Sequence, residues 1–389
     1  KSGTELNTKS ILLESAYSYH NQESFFGTTR YVANQNIYYA NLSHILKWNQ
    51  YRLSYGSSFK QIQIAEDFVN YHPELMTGKN KKDEKISGLF LENHFKWKKK
   101  AELIVGARID NHNEFGLFLI PRTLLKYNFS ENTFLRASAG SGWRTHNTFS
   151  ENINLLGSNR EIEIDPNLKP EKAHNLGLSL LHAIYREKSE FQIIIDFYKT
   201  TFSNQIFPDF YGDYDGTNST IHIYNFEETS ISNSFQAEIG MEFFKSIGFK
   251  IAYNYLHVFR QIEGGEKREL PFNSKHHMLG TFSYQPTDKE WQFDMNAHIF
   301  GPKKIVYNEI NNIDDNSYSD PYAILNAQFT KKIKKIEIYF GAENILNFKQ
   351  PNPIINPDRP FAVDFDAANG VWGPTNGIEA YIGFRLKIE

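Results

Sequence analysis

Apolar and polar residues alternate with period two along most of the chain. In Phe134-Leu135-Arg136-Ala137-Ser138-Ala139-Gly140, Leu135, Ala137 and Ala139 fall on one side and Arg136, Ser138 and Gly140 on the other. Successive side chains of a strand point to opposite faces, so the pattern predicts a strand with one apolar and one polar face. Leu176, Leu178 and Leu180 stand in the same way against Asn175, Gly177 and Ser179, and Phe235 to Phe243 and Trp291 to Ile299 repeat it. The cleanest case is the last, where Ile378, Ala380, Ile382, Phe384, Leu386 and Ile388 oppose Glu379, Tyr381, Gly383, Arg385 and Lys387.

About sixteen strands are predicted: Ser10–His20, Gln35–Lys47, Tyr51–Gln63, Ile86–Lys96, Ala101–Asn111, Gly116–Tyr127, Thr133–Trp143, Lys172–Tyr185, Ser189–Asn204, Ser230–Phe244, Phe249–Gln261, Asn273–Tyr284, Glu290–Gly301, Pro321–Lys332, Lys335–Ile345 and Gly377–Ile388. Most are about twice the length of a soluble strand. Their connections alternate between short and long. Trp48–Gln50, Trp97–Lys100, Asn128–Asn132, Arg186–Lys188, Lys245–Gly248, Gln285–Lys289 and Ile333–Lys334 are short. Between them come Asn21–Asn34, Glu66–Lys85, Arg144–Glu171, Gln205–Thr229, Ile262–Phe272, Pro302–Asp320 and Leu346–Asn376, with Asn111–Phe115 the one exception. Short turns on one rim and long loops on the other are the rule of antiparallel membrane-spanning barrels. Aromatics gather beside the short turns, namely Trp48, Tyr51, Trp97, Tyr127, Phe129, Tyr185, Phe243, Phe244, Tyr284 and Trp291, as an interfacial girdle would require. Arginine facing hydrocarbon costs about 2–4 kcal/mol, so Arg108, Arg136 and Arg385 are expected to point inward.

Composition agrees. Aromatic residues make up 15% of the 389 residues, with 32 Phe and 22 Tyr, and no run of apolar residues is long enough for a spanning helix. A soluble propeller or sandwich would show similar averages, so it is the alternation of loops that favours the barrel. With no cysteine, disulfides, thiolate metal sites and a cysteine nucleophile are excluded. A net charge of −3 gives no reason to expect a nucleic-acid partner. The chain opens at Lys1-Ser2-Gly3-Thr4 without an initiator Met, which reads as an internal cut.

Gly140-Ser141-Gly142-Trp143-Arg144-Thr145-His146-Asn147, followed by Asp165-Pro166-Asn167-Leu168-Lys169-Pro170-Glu171-Lys172, resembles a signature of the TonB-dependent outer-membrane receptors. Gly341-Ala342-Glu343-Asn344-Ile345-Leu346-Asn347 is similar to their close of the penultimate strand, and Ala380–Ile388 to their terminal assembly strand, although Ile388-Glu389 stands where Phe is usual. The resemblance runs from Ile86 to Ile388; Lys1–Lys85 match in periodicity alone. It implies an all-β antiparallel transmembrane barrel in which residues 1–389 supply the C-terminal part, about 16 of some 22 strands, with the plug and TonB box upstream. The implied function is active uptake rather than catalysis. A scarce substrate, most plausibly an iron–siderophore or similar metal chelate with haem, cobalamin, copper or an oligosaccharide also open, binds at the outer loops and is imported with energy from the TonB-ExbB-ExbD complex. The implied place is the outer membrane of a Gram-negative bacterium, among its lipids. The alternative is a passive porin-like or adhesin-like barrel without energy coupling.

Candidate binding residues are polar and aromatic side chains of the long loops: Trp143, Arg144 and His146 in the central one, Tyr211, Tyr214 and His222 in the next, and Trp372 in the last. For each, a solvated loop position is the commoner role. His276 and His277 are adjacent on a strand and must face opposite ways, so they are not expected to chelate together. Glu309, Asn311, Asn312, Asp314, Asp315 and Asp320 offer oxygen atoms for calcium but lack EF-hand spacing, and no metal site is expected. Glu238, Glu242, Asp294, Glu337 and Glu343 are expected to face water inside the wall together with the inward arginines. Gly140-Ser141-Gly142 lacks the setting of a nucleophile elbow, and no phosphate-binding loop is present.

Overall fold

The computed structural model describes residues 8–27, 29–70, 77–209, 220–261, 267–305, 317–362 and 365–388. Among them are twenty strands: β1 (Thr8–Phe26), β2 (Thr29–Lys47), β3 (Tyr51–Asn70), β4 (Thr77–Trp97), β5 (Ala101–His112), β6 (Gly116–Ser130), β7 (Thr133–Arg144), β8 (Glu161–Ile164), β9 (Glu171–Arg186), β10 (Ser189–Ser203), β11 (Ile206–Asp209), β12 (Thr220–Asn225), β13 (Ser230–Phe243), β14 (Ile247–Gln261), β15 (Lys267–Glu269), β16 (His276–Tyr284), β17 (Trp291–Phe300), β18 (Tyr322–Ile333), β19 (Ile336–Glu343) and β20 (Glu379–Leu386). Seventeen form one sheet, and β8, β11 and β12 form a second, small one. In the large sheet each strand lies antiparallel to the next in chain order, from β1 beside β2 to β19 beside β20. β15 lies on the same edge of β14 as β16, so the two act as one interrupted strand. Each of the sixteen strands predicted from alternation is present.

The two faces of this wall differ as the sequence predicts. Leu176 and Leu178 on β9 are exposed, while Gly177 between them is buried. On β5, Val105 and Ile109 are exposed, and Arg108 and Asp110 turn the other way to pair at 2.6 Å. Arg385 meets Glu337 at 3.0 Å, and Glu238 meets Lys250 at 3.0 Å. The outer surface is thus apolar and the inner surface is a mesh of ion pairs and amides, including Asn326 to Asn296 at 2.9 Å and Tyr381 to Gln328 at 3.0 Å. Among the described residues no ladder joins β1 to β20. β1 is exposed on both faces through its first fourteen residues, and β20 along nearly all of its length.

Two predicted long loops are corrected. Asn21–Asn34 is mostly strand, with β1 and β2 meeting in register up to Phe26 opposite Thr29, and much of Glu66–Lys85 is likewise paired, up to Val69 opposite Thr77. At 19 to 21 residues, β1–β4 are about twice as long as a bilayer needs. Beyond the lipid both faces meet water or loops, so Asn21, Gln22, Glu23, Asn34 and Gln35 lose the apolar row that marks a strand while keeping the ladder.

Buried apolar residues lie in the long-loop rim rather than in the wall. One cluster joins Leu155, Ile206, Ile221 and Ile223, the other Tyr31, Ala33, Phe68, Phe149 and Leu156. Loop Arg144–Glu171, expected to be irregular, holds a helical turn at Thr148–Glu151, a 3-10 turn at Ile153–Gly157 and β8, which pairs in parallel with β12. The last long loop closes over it: Asn159 Nδ2 donates to the carbonyls of Pro360 and Ala362 at 2.9 Å, and the N–H of Ala367 donates to Gly157 O at 3.1 Å. These segments form a packed cap on one rim.

Candidate functional site

Below the cap, a chain of charged groups runs from the wall into the central loop. His112, at the top of β5, is buried; its Nδ1 accepts the N–H groups of Glu114 and Phe115 at 3.1 and 3.2 Å, which leaves Nε2 turned toward Glu84 Oε1 at 3.4 Å. Glu84 pairs with Lys82 at 2.8 Å. From there the Lys82 ammonium donates to His146 O at 3.0 Å and to Asn147 Oδ1 at 3.2 Å. His146 Nδ1 is 3.1 Å from Glu151, and Arg144 holds both Glu151, at 2.9 Å, and Glu171. Glu171 in turn accepts the N–H of Ile206 at 2.8 Å, fixing the start of β11. Buried charges persist when they are paired, and this chain places each beside the next, although Glu84 Oε1, His112 Nε2 and His146 Nδ1 are buried without a well-aligned hydrogen bond.

Glu151 shows the balance. Burial pushes its carboxyl up, but the His146 hydrogen bond, the Asn147 N–H at 3.0 Å and Arg144 outweigh burial and hold it at about 2.

Trp143 closes a seam. The β6–β7 ladder ends at Arg122–Gly140, next to Pro121, which has no N–H to continue it. Beyond that point the indole stacks on Phe118 at 3.9 Å, stands edge-on to His112 at 5.7 Å and donates Nε1–H to Asp110 at 3.2 Å. On β4, Gly88 lies against the Arg108–Asp110 pair; a Cβ there would collide with Arg108 Nη2 and Asp110 Oδ1.

Of the seven residues singled out from sequence, Trp143, Arg144 and His146 therefore come together. His222 sits apart in the small sheet, buried, 3.3 Å from Glu163. Trp372 lies in a ring cluster with Tyr322 and Phe348, its carbonyl accepting from Lys303 at 2.6 Å and its N–H donating to Gln350 at 2.7 Å. Tyr211 and Tyr214 lie outside the described residues, as do the oxygen donors at 309, 311, 312, 314 and 315. His276 and His277 do diverge, one to Tyr253 Oη at 2.7 Å and the other to His298 at 3.2 Å. Among the described residues no group of three His, Asp or Glu is placed to hold a metal ion. Sequence reasoning missed Lys82, Glu84, Asp110, His112 and Glu151. For Lys82 and Glu84 the available signal was their shared parity with Gly88 and Phe90, the inward row of β4.

Two clefts open at the cap. One of about 450 Å³ is lined by Lys79, Lys82, Phe115, His146, Phe149 and Lys169. Glu114 and Asp165 line it too, and Lys79 and Lys82 are paired with Asp67 and Glu84, so it is the rings and Lys169 that an anionic, planar group would meet. The other, about 720 Å³, lies between the β1–β2 tip and the last loop, at Phe26, Leu156, Pro360, Phe361 and Phe365.

The family described as "TonB dependent receptor-like, beta-barrel" matches residues 5–345. Over 110 residues the chain is 26% identical to the ferric enterobactin receptor PirA of Pseudomonas aeruginosa, a stretch that is 28% of this chain and 15% of that protein. Its fold is similar to those of the copper transporter OprC (TM-score 0.67, 14% identity, 98% of this chain and 63% of that one) and the ferric enterobactin receptor PfeA of Pseudomonas aeruginosa (0.63, 15%, 97% and 62%). The ferric-catecholate import receptor Fiu of E. coli K12 is similar too (0.69, 11%, 97% and 61%). The chain thus spans less than two thirds of the length of each.

Proposed function

The chain belongs to the TonB-dependent receptor family through its β-barrel domain, and from that membership we propose that it is the C-terminal wall and outer mouth of a receptor in a Gram-negative outer membrane, importing a scarce metal chelate. The family match across residues 5–345 is the observation that carries this reading. In this account residues 1–389 supply part of a wall of about 22 strands whose lumen is filled by a plug, through which the TonB-ExbB-ExbD complex acts. The polar inner face gives a plug hydrogen-bonding partners, and the packed cap gives the chelate a defined surface rather than an open mouth. Two relatives are described as receptors for ferric enterobactin and one for ferric catecholates, so a ferric chelate is the cargo proposed. The first cleft, with Lys169, Phe115 and Phe149, is the proposed contact, together with His146 at its edge. No catalytic step is assigned.

The test is growth on limiting ferric chelates with the gene deleted, with TonB deleted, and with both intact. Loss of growth in both deletions on the same chelate supports the reading. Chelate uptake that persists without TonB would instead indicate a passive pore.

A further inference from the structure

The rim of short turns carries an uneven charge. Beside the unpaired edge of β1, the turns hold Lys47, Lys96, Lys98, Lys99 and Lys100; beside the edge of β20 they hold Lys331, Lys332, Lys334, Lys335 and Lys387. The acids within reach are few, Glu102 and Glu131 on one side and Glu290 and Glu337 on the other. The four turns between these sectors are more evenly matched even with Glu131 and Glu290 left to the sector lysines: Lys126, Arg186, Lys188, Lys245 and Lys289 stand beside Glu187, Glu190, Glu242 and Asp288. A basic rim that served solubility alone would have no reason to be sectored.

Two rim tryptophans lie within the first sector, and Trp291, beside the turn at Gln285–Lys289, meets the second through Lys331. Trp48 adjoins Lys47, Trp97 stands between Lys96 and Lys98, and Lys331 Nζ lies 3.7 Å above the ring of Trp291. Indole rings settle at the boundary between hydrocarbon and headgroups. Lysines one turn beyond them lay their stems along that boundary and place their ammonium groups at phosphate height.

We propose that these two lysine–tryptophan sectors bind the phosphates of anionic phospholipids in the leaflet that meets the short turns. The lysines that serve the lipid side are those of the turns and of the outward row, Lys98, Lys99, Lys100, Lys331, Lys334 and Lys335, whereas Lys47, Lys96, Lys332 and Lys387 share the inward parity. The sites lie at the rim opposite the cap and take no part in cargo binding. A lysine near an anionic bilayer surface strengthens attraction about fivefold, and several in one sector act together. Salt weakens the effect, because Lys98, Lys99, Lys100, Lys334 and Lys335 are exposed.

The full-length receptor is reconstituted in phosphatidylcholine bilayers, and the fraction of spin-labelled phosphatidylglycerol immobilised at its surface is compared with that of spin-labelled phosphatidylcholine. The expected result is a severalfold preference for phosphatidylglycerol. It should fall toward unity in Lys98→Gln/Lys99→Gln/Lys100→Gln and in Lys331→Gln/Lys334→Gln/Lys335→Gln, and be kept in Lys188→Gln/Lys245→Gln/Lys289→Gln. Equal losses in all three variants would reduce the effect to overall charge and overturn the proposal. So would absence of preference in the unaltered protein, which would leave the lysines to a soluble acidic partner. Erasure by inorganic phosphate at constant ionic strength would overturn it in favour of a free-anion site. Heat-modifiable migration of each preparation separates failure of the lysine assignment from failure of the barrel to form.

Discussion

The ammonium of Lys82, on β4, donates a hydrogen bond to the backbone carbonyl of His146, 64 positions further along the chain, at 3.0 Å. Through that contact the wall positions the central loop. Replacing Lys82 with Met keeps the stem but removes the donor and leaves Glu84 buried without its cation. Losing one partner of a buried pair costs about 3–5 kcal/mol at full burial, and Lys82 is partly exposed, so about 2 kcal/mol is expected here. The cost should appear as faster proteolysis within residues 145–170, with heat-modifiable migration of the wall unchanged.

Glu151 predicts how the cap responds to acid. Its carboxyl is held at about 2, below an ordinary 4.5, so its contribution is complete above 4.5 and disappears as pH falls toward 2. Hydrogen exchange in the central loop should be steady between pH 7 and 5 once the intrinsic rate is removed, then accelerate below 4.5. Glu151→Gln should loosen the loop by about 2 kcal/mol at pH 7, with the difference from the unaltered protein vanishing near pH 2.

Gly88→Ala should destabilise the wall by about 1–3 kcal/mol, because the added methyl meets the Arg108–Asp110 pair. A lower midpoint for loss of heat-modifiable migration is the readout. Arg108→Ala destabilises by itself, because it leaves the buried Asp110 without its cation, but combined with Gly88→Ala the two losses should be less than additive, since the Arg108 guanidinium is among the groups struck.

Refolded alone, residues 1–389 should give no steady large conductance in planar bilayers. Strand edges such as those of β1 and β20 cannot face hydrocarbon unpaired, so the isolated sheet should remain unstable or associate with other copies.

The wall was legible because lipid on one side and water on the other impose a period of two, and Leu176–Leu180 or Ile378–Ile388 display it without ambiguity. Where that boundary ends, the signal ends. The outer halves of β1–β4 read as loops because Asn21–Glu23 and Asn34–Gln35 have no apolar face to show. Trp143, Arg144 and His146 could be picked out as a group because they lie within four positions where β7 runs into the central loop. Their partners Lys82, Glu84 and His112 come from other strands, and proximity across a sheet depends on register, which periodicity does not fix.

The central claim is that one face of each long strand meets hydrocarbon and the other meets water. Residues 1–389 contain no cysteine, so in the full-length receptor, with any cysteine elsewhere replaced, single cysteines at Asn175, Leu176, Leu178, Ser179 and Leu180 along β9 can each carry one spin label. In bilayers, labels at 176, 178 and 180 should be accessible to oxygen, and those at 175 and 179 to a water-soluble nickel chelate, the two profiles alternating out of phase. Labels at 176, 178 and 180 shielded from both reagents would mean that the apolar row packs against protein, and would contradict the account.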